Sequence, residues 1–235
     1  MKLLRYRDGN LAKPGILDKE NKIRNASSLV EDWNNENISA ENLDRIKNTD
    51  LSSMPVIDED FTFAPCIAGV GKFICIGLNY SDHAAETGQE VPKEPIMFMK
   101  ATSAICGPND DIIIPKNSSK SDWEVELGVV IGKETKHIEE KQSQDHIAGY
   151  CVVNDLSERE FQLEHYGQWV KGKSCDTFGP LGPYLVTKDE VADPQNLRMW
   201  LDVNGERMQD GSTSTMVYGV NFLVSYLSQF MSLQP

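Results

Sequence analysis

Asp122-Trp123-Glu124-Val125-Glu126-Leu127-Gly128-Val129-Val130-Ile131 reads as a β-strand that carries its own chemistry. Side chains on a strand alternate between faces, so Glu124 and Glu126 point the same way. Two carboxylates held that close repel each other unless protons or a cation lie between them. Trp123, Val125, Leu127, Val129 and Val130 make the strand too apolar for a free sheet edge, which places the carboxylates in a pocket. Tyr150-Cys-Val-Val-Asn-Asp155 is a second apolar strand, and it ends in an acid. Glu124, Glu126 and Asp155, converging from two strands, match a Mg²⁺ or Mn²⁺ site with positions left for water and a chelating substrate. No His or Cys lies at ligand spacing here, which disfavours zinc.

Upstream, Asn79-Tyr-Ser-Asp-His83-Ala-Ala-Glu86 sets His83 and Glu86 three residues apart, neighbours on one face if the segment is helical. A carboxylate beside an imidazole orients it and raises its basicity, as a general base requires. The segment follows a strand exit, where loops commonly carry catalytic groups. Taken singly, a Glu-x-Glu strand is more often a solvated face, and a lone histidine more often a surface or core residue. The combination points to metal-assisted chemistry on an oxygen-rich substrate. An anionic substrate also needs a cation. Lys173, in the Gly-containing stretch Val170-Lys-Gly-Lys-Ser-Cys-Asp-Thr-Phe-Gly-Pro, is the first candidate. Arg159 and Gln162 are the next.

The totals narrow the classes of partner. A net charge of −13 argues against nucleic acid, whose phosphates call for a basic surface. Cysteines 66, 75, 106, 151 and 175 form no C-x-x-C pair and read as small buried hydrophobes of a reducing cytoplasm. The opening Met-Lys-Leu-Leu-Arg-Tyr-Arg-Asp has no secretory h-region, and no apolar run approaches membrane-spanning length. Ala68-Gly-Val-Gly71-Lys72 superficially resembles a phosphate loop, but Phe73 follows where Ser or Thr and a helix are required.

The organisation reads as a small separate unit over residues 1–68, then a larger one over 69–235. In the first, residues 3–6, 15–17 and 22–30 are strand candidates, and Ser39 caps a helix that buries Leu43 and Ile46. A polar, Pro-containing stretch over residues 50–65 reads as a linker. In the second, strands are expected at 72–77, 96–99, 112–114, 125–131, 150–154, 184–187 and 199–203, with a hairpin turn at Asn204-Gly205. Helices are expected at 158–166 and 220–231. Many strands with few helices predict a β-rich, mixed α/β fold and not a doubly wound nucleotide binder.

Six ordered motifs then carry a resemblance: Gly77-Leu-Asn-Tyr-Ser-Asp-His83-Ala-Ala-Glu86; Asp122-Trp-Glu-Val-Glu-Leu; Asn154-Asp155-x-x-x-Arg159-x-x-Gln162; Gly172-Lys173-Ser; Phe178-Gly-Pro-x-Gly-Pro; and Gln209-x-x-x-Thr213-x-x-Met216. Over residues 69–235 the chain resembles the fumarylacetoacetate hydrolase family, and within it bacterial members acting on diketo acids from sugar or aromatic catabolism. Some of these carry the labels ureidoglycolate lyase or 2-hydroxyhepta-2,4-diene-1,7-dioate isomerase. The resemblance implies a β-roll catalytic domain behind a small N-terminal domain, in a homodimer. It implies a divalent metal on Glu124, Glu126 and Asp155, with His83 and Glu86 on a lid-like segment handling water and protons. It also implies that Lys173, Arg159, Gln162 and Thr213 meet the substrate. Relatives continue past Ser232-Leu-Gln-Pro235 through a Gly-Thr-Pro-rich loop and closing strands, so the chain as given is expected to be poorly soluble or inactive.

The expected activity is therefore Mg²⁺- or Mn²⁺-dependent hydrolysis of a carbon–carbon bond in a small anionic 2,4-diketo acid, an acylpyruvate or a 2,4-diketo-3-deoxy sugar acid. Isomerisation, decarboxylation or lysis at the same site is the first alternative. An inactive binding or assembly protein is the second.

Overall fold

The computed structural model describes residues 1–57, 60–88 and 90–235. Residues 58–59 of the expected linker and Gln89 of the lid-like segment lie outside the described residues. In chain order the first elements are β1 (Lys2–Asp8), β2 (Leu11–Leu17), β3 (Ile23–Asn25), α1 (Ala40–Lys47) and β4 (Phe63–Ala64). Next come β5 (Phe73–Gly77), α2 (Ser81–Thr87), β6 (Ile96–Lys100), β7 (Ile105–Cys106), β8 (Ser121–Asp122) and β9 (Val125–Ile131). Then follow α3 (Ser143–His146), β10 (Ile147–Asn154), β11 (Ser157–Glu158), α4 (Val170–Lys173) and β12 (Gly179–Pro180). The last are β13 (Leu185–Thr187), β14 (Arg198–Val203), β15 (Glu206–Ser212) and α5 (Val220–Ser228).

One antiparallel sheet organises the molecule in the order β3-β2-β1-β13-β10-β9, with β4 also pairing to β1. The N-terminal hairpin joins this sheet through Lys2↔Val186 and Leu3↔Leu185, so sequence-distant segments share its hydrogen bonds. The smaller sheets β5–β6 and β14–β15 stand beside it, and among the described residues no sheet closes into a barrel. The result is the strand-rich mixed α/β fold expected.

A fully buried Trp33 centres the first core, with Leu3, Ile16, Ile38 and Ile46 from the N-terminal segment and Cys151, Val153 and Leu185 from later strands. The second core lies on the opposite side of β10, where Ile147 and Tyr150 meet Val220 and Val224 of α5. Residues 1–68 and 69–235 are thus proposed units of organisation that one sheet and one core join. Among the described residues no helix is long and apolar enough to cross a membrane.

Local rules account for several boundaries. Ser39 accepts the Asn42 N–H at 3.3 Å and starts α1, which buries Leu43 and Ile46. Asn204 and Gly205 both take positive φ, the left-handed pair of a two-residue hairpin turn. Other expectations fail for identifiable reasons. The strand expected at 22–30 stops after Asn25, whose side chain accepts the Ser27 N–H and turns the backbone. Residues 112–114 form no strand: Ile113 and Ile114 are exposed, and the Ile113 N–H donates to the Thr177 side chain.

The helix expected at 158–166 is replaced by β11 and a wide π turn over Glu160–Glu164. Glu158 turns inward there and accepts from Ser118, Ser121 and the Lys120 N–H, bonds that a helix with Glu158 outward would forfeit. The strand judged too apolar for an edge, β9, stands at the end of the sheet and pairs, among the described residues, only with β10. Its apolar side chains are covered instead by α5 and the segment around Leu233.

Candidate active site

The two site strands deliver their carboxylates by register. Val153 lies opposite Glu126 and Asn154 opposite Val125. Just beyond the pairing, the Asp155 N–H donates to the Glu124 carbonyl at 2.8 Å, and the Glu124 N–H donates to the Asn154 side chain at 3.1 Å. Asp155 therefore arrives directly across from Glu124. The third wall comes from α2. Asn79, at its foot, exchanges hydrogen bonds of 3.0 Å each with the Tyr218 backbone, donating to the carbonyl and accepting from the N–H. That clamp aims the next turn, with His83 and Glu86, at the same space.

The pocket has a volume of about 800 Å³, in the range that holds a small organic molecule. Glu124, Glu126, Asp155, His83, Glu86, Lys173, Arg159 and Gln162 all line it. Thr213 does not. It is fully buried behind β14 and β15, where its hydroxyl accepts the Leu197 N–H at 2.8 Å. Leu163, Trp169, Met199 and Met208 give the pocket an apolar side, and the β15 residue Gln209 accepts the Val125 N–H at 2.8 Å between the two glutamates.

The charges around Glu124 and Asp155 are closely paired. Lys173 donates to Glu124 Oε2 and, at 2.8 Å, to Asp155 Oδ2, so its ammonium bridges the two carboxylates. Arg159 donates to Glu124 Oε1 at 2.7 Å, to Asp122 Oδ2 at 2.9 Å and to Gln162 Oε1 at 3.0 Å. Lys100, its side chain fully buried, donates to Asp155 Oδ1 at 2.6 Å and to the Leu156 carbonyl at 2.9 Å. Against the cost of burial, Lys173 and Arg159 hold the Glu124 carboxyl below its usual range. Burial works against the Lys173 charge too, yet Glu124 and Asp155 raise its pKa.

Glu126 has no such cation bonded to it among the described residues, and its near polar neighbour is the neutral Tyr80 hydroxyl. Burial, then repulsion from Glu124 and Asp155, pushes its pKa up to about 8. Among the described residues no three His, Cys, Asp or Glu groups converge as a ready-made metal cluster. The three carboxylates share a pocket, but an ammonium stands between two of them. Their chemistry nonetheless fits a hard cation: oxygen donors only, in excess of the nearby positive charge on the Glu126 side. His83 Nδ1 lies 3.8 Å from Glu86 Oε2, an ion-pair distance longer than a hydrogen bond, and Glu86 is mostly exposed.

Lys100 and Tyr80 are the site residues that sequence reasoning passed over. Tyr80 lay inside a quoted motif as a spacer. Lys100 closes the apolar run Ile96-Met-Phe-Met, and a lysine ending an apolar run was the available signal.

Comparison with known proteins places this fold among relatives. The sequence pattern described as fumarylacetoacetate (FAA) hydrolase C-terminal matches residues 72–235. A Burkholderia lata protein that carries the provisional name hydrolase is 55% identical across all 235 residues, which span 83% of its length. Among solved structures, fumarylacetoacetate hydrolase from Exiguobacterium antarcticum superposes with a TM-score of 0.84 at 28% identity, over the whole of this chain and 83% of the other. The 2-hydroxyhepta-2,4-diene-1,7-dioate isomerase from Mycobacterium marinum superposes with a TM-score of 0.77 at 29% identity, over the whole of this chain and 84% of the other.

Proposed function

The chain belongs to the fumarylacetoacetate hydrolase family, and on that premise we propose that it is a divalent-metal-dependent hydrolase cleaving a carbon–carbon bond in small 2,4-diketo acids. The observation that carries this reading is one pocket holding three carboxylates and a lysine opposite a histidine–carboxylate pair. Glu124, Glu126 and Asp155 would hold Mg²⁺ or Mn²⁺. When bound, such an ion supplies Lewis-acid neutralisation of charge that develops on the substrate's oxygens.

The remaining work falls to side chains of the protein. The Lys173 ammonium holds the substrate's carboxylate. His83 takes a proton from water as the oxygen attacks the 4-carbonyl, and Glu86 favours the imidazolium that results. The C3–C4 bond then breaks, C4 leaves as a carboxylic acid, and its bonding electrons pass to C3 as pyruvate enolate. His83 returns the proton to C3. The apolar wall of Trp169, Leu163, Met199 and Met208 excludes bulk water from the enolate.

The test is a panel of acylpyruvates and 2,4-diketo-3-deoxy sugar acids, assayed with and without Mg²⁺. Hydrolysis releases two acids from one substrate, and His83→Ala lowers turnover by about 10²–10⁴-fold. The likeness to the Mycobacterium marinum isomerase favours a second reading, isomerisation or decarboxylation at the same site. A single product acid from an active enzyme decides for it. Absence of both turnover and metal binding decides for a non-catalytic role. A homodimer is part of the proposal, and light scattering on the purified chain measures it.

A further inference from the structure

Each carboxylate beside Lys173 divides its oxygens in the same way. Asp155 gives Oδ1 to Lys100 and Oδ2 to Lys173. Glu124 gives Oε1 to Arg159 and Oε2 to Lys173. The first partner in each pair is fixed. Lys100 is fully buried and is further tied to the Leu156 carbonyl, while Arg159 is further tied to Asp122 and Gln162. The second partner is one and the same ammonium, and Lys173, though its side chain is only 3% exposed, borders the pocket as Arg159 does. From the same position its Nζ lies 5.2 Å from the centroid of the Phe98 ring, another part of the pocket wall.

We infer that the Lys173 ammonium stands in for the divalent ion, and that metal binding displaces it into the pocket, where it becomes the cation that receives the substrate's carboxylate. The inference rests on the reading of Glu124, Glu126 and Asp155 as the ion's holders. Moving Lys173 frees one oxygen on Glu124 and one on Asp155, both within bonding reach of the single point its nitrogen occupied. Lys100 and Arg159 keep the opposite oxygens in place, so the freed pair stays aimed. Glu126, which has no cation bonded among the described contacts, supplies the third donor. The exchange also orders the reaction: until the metal arrives, the cation meant for the substrate anion is spent on the enzyme's own carboxylates. By linkage, an anion that draws Lys173 away tightens metal binding by the same factor that the metal tightens the anion.

The experiment measures Mn²⁺ binding by calorimetry to the wild-type chain, Lys173→Met and Lys173→Arg, with no substrate present. Losing the internal competitor should tighten Mn²⁺ binding by about tenfold or more in Lys173→Met, since Glu124 and Asp155 then keep only the cations Arg159 and Lys100 and each has one oxygen free for a further cation. Lys173→Arg keeps the charge and should stay near the wild type. Melting curves provide a second readout, with Mn²⁺ raising the midpoint of Lys173→Met more than that of the wild type. Equal or weaker Mn²⁺ binding by Lys173→Met, with the wild type binding normally, overturns the displacement and leaves the metal reading standing. Binding by none of the three chains overturns the metal reading and this inference with it.

Discussion

Gly172 shows at single-residue scale why a cation sits where it does. A Cβ on Gly172 would come within 2.3 Å of the Glu158 carbonyl and 2.6 Å of the Gln162 N–H, both backbone groups unable to yield. The glycine lets α4 press against the turn that carries Arg159 and Gln162, and so delivers Lys173 to Glu124. Gly172→Ala is expected to cost about 1–3 kcal/mol through overpacking and to lower turnover by roughly 10²-fold through misplacement of Lys173. Parallel melts and kinetics check this, and unchanged turnover with a lowered melt would show that the position of Lys173 is not critical. Much of the site was legible at this scale. Glu124, Glu126, Asp155, His83 and Lys173 carry chemistry in their residue types and spacing. Lys100 was not legible, because a lysine counts as solvated until burial is seen. The bridging role of Lys173 was hidden for a related reason: sequence shows a charge but not which of several carboxylates it will meet. Thr213 came from motif position alone, and its hydroxyl is spent on the Leu197 N–H.

Elements were readable wherever one local rule dominated. Ser39 before a short amphipathic run gave α1, and Asn204-Gly205 gave the β14–β15 turn. Reading failed where side-chain hydrogen bonds outweighed periodicity, as at Glu158, whose carboxylate holds a loop that apolar spacing cannot reveal. The attachment of α1 to the main sheet has a measurable consequence. Lys47 of α1 donates to Asp189 in the turn after β13, and this contact, with the Thr187 side chain next, lowers the Asp189 pKa to about 2. An acid whose folded pKa is depressed contributes stability that is fully present above its unfolded pKa near 3.8 and is lost as pH falls through about 2. Asp189→Asn should therefore lower the neutral melt slightly, the pair being partly exposed, and flatten the acid-unfolding curve between those values by the same small amount. Superimposable acid profiles for the two proteins would remove Asp189 from the account.

At the scale of the whole molecule, fold class was legible from strand count and turn signals, whereas sheet order was not. No local pattern announces that Leu3 pairs with Leu185, because that register is fixed by packing among Trp33, Val153 and Leu185. The shared sheet predicts that residues 69–235, expressed without 1–68, lose cooperative unfolding and bind a hydrophobic dye, since Cys151, Val153 and Leu185 lose their cover. A sharp thermal transition for 69–235 alone would show instead that its core assembles independently. The same pairing imposes a delay during synthesis. The β1–β2 hairpin emerges with one edge open: β4 covers Arg5 and Tyr6 early, but Lys2 and Leu3 wait for β13, about 170 residues beyond the hairpin. At ribosomal speeds of about 5–20 residues per second, that end of the strand waits roughly eight to thirty-five seconds in a crowded cell. Lys2, Arg5 and Arg7 on β1 put charge along the waiting strand, the usual guard against mispairing with other nascent chains. Translation speed, and the chaperones that attend it, thereby become determinants of how much active enzyme a cell obtains from each message.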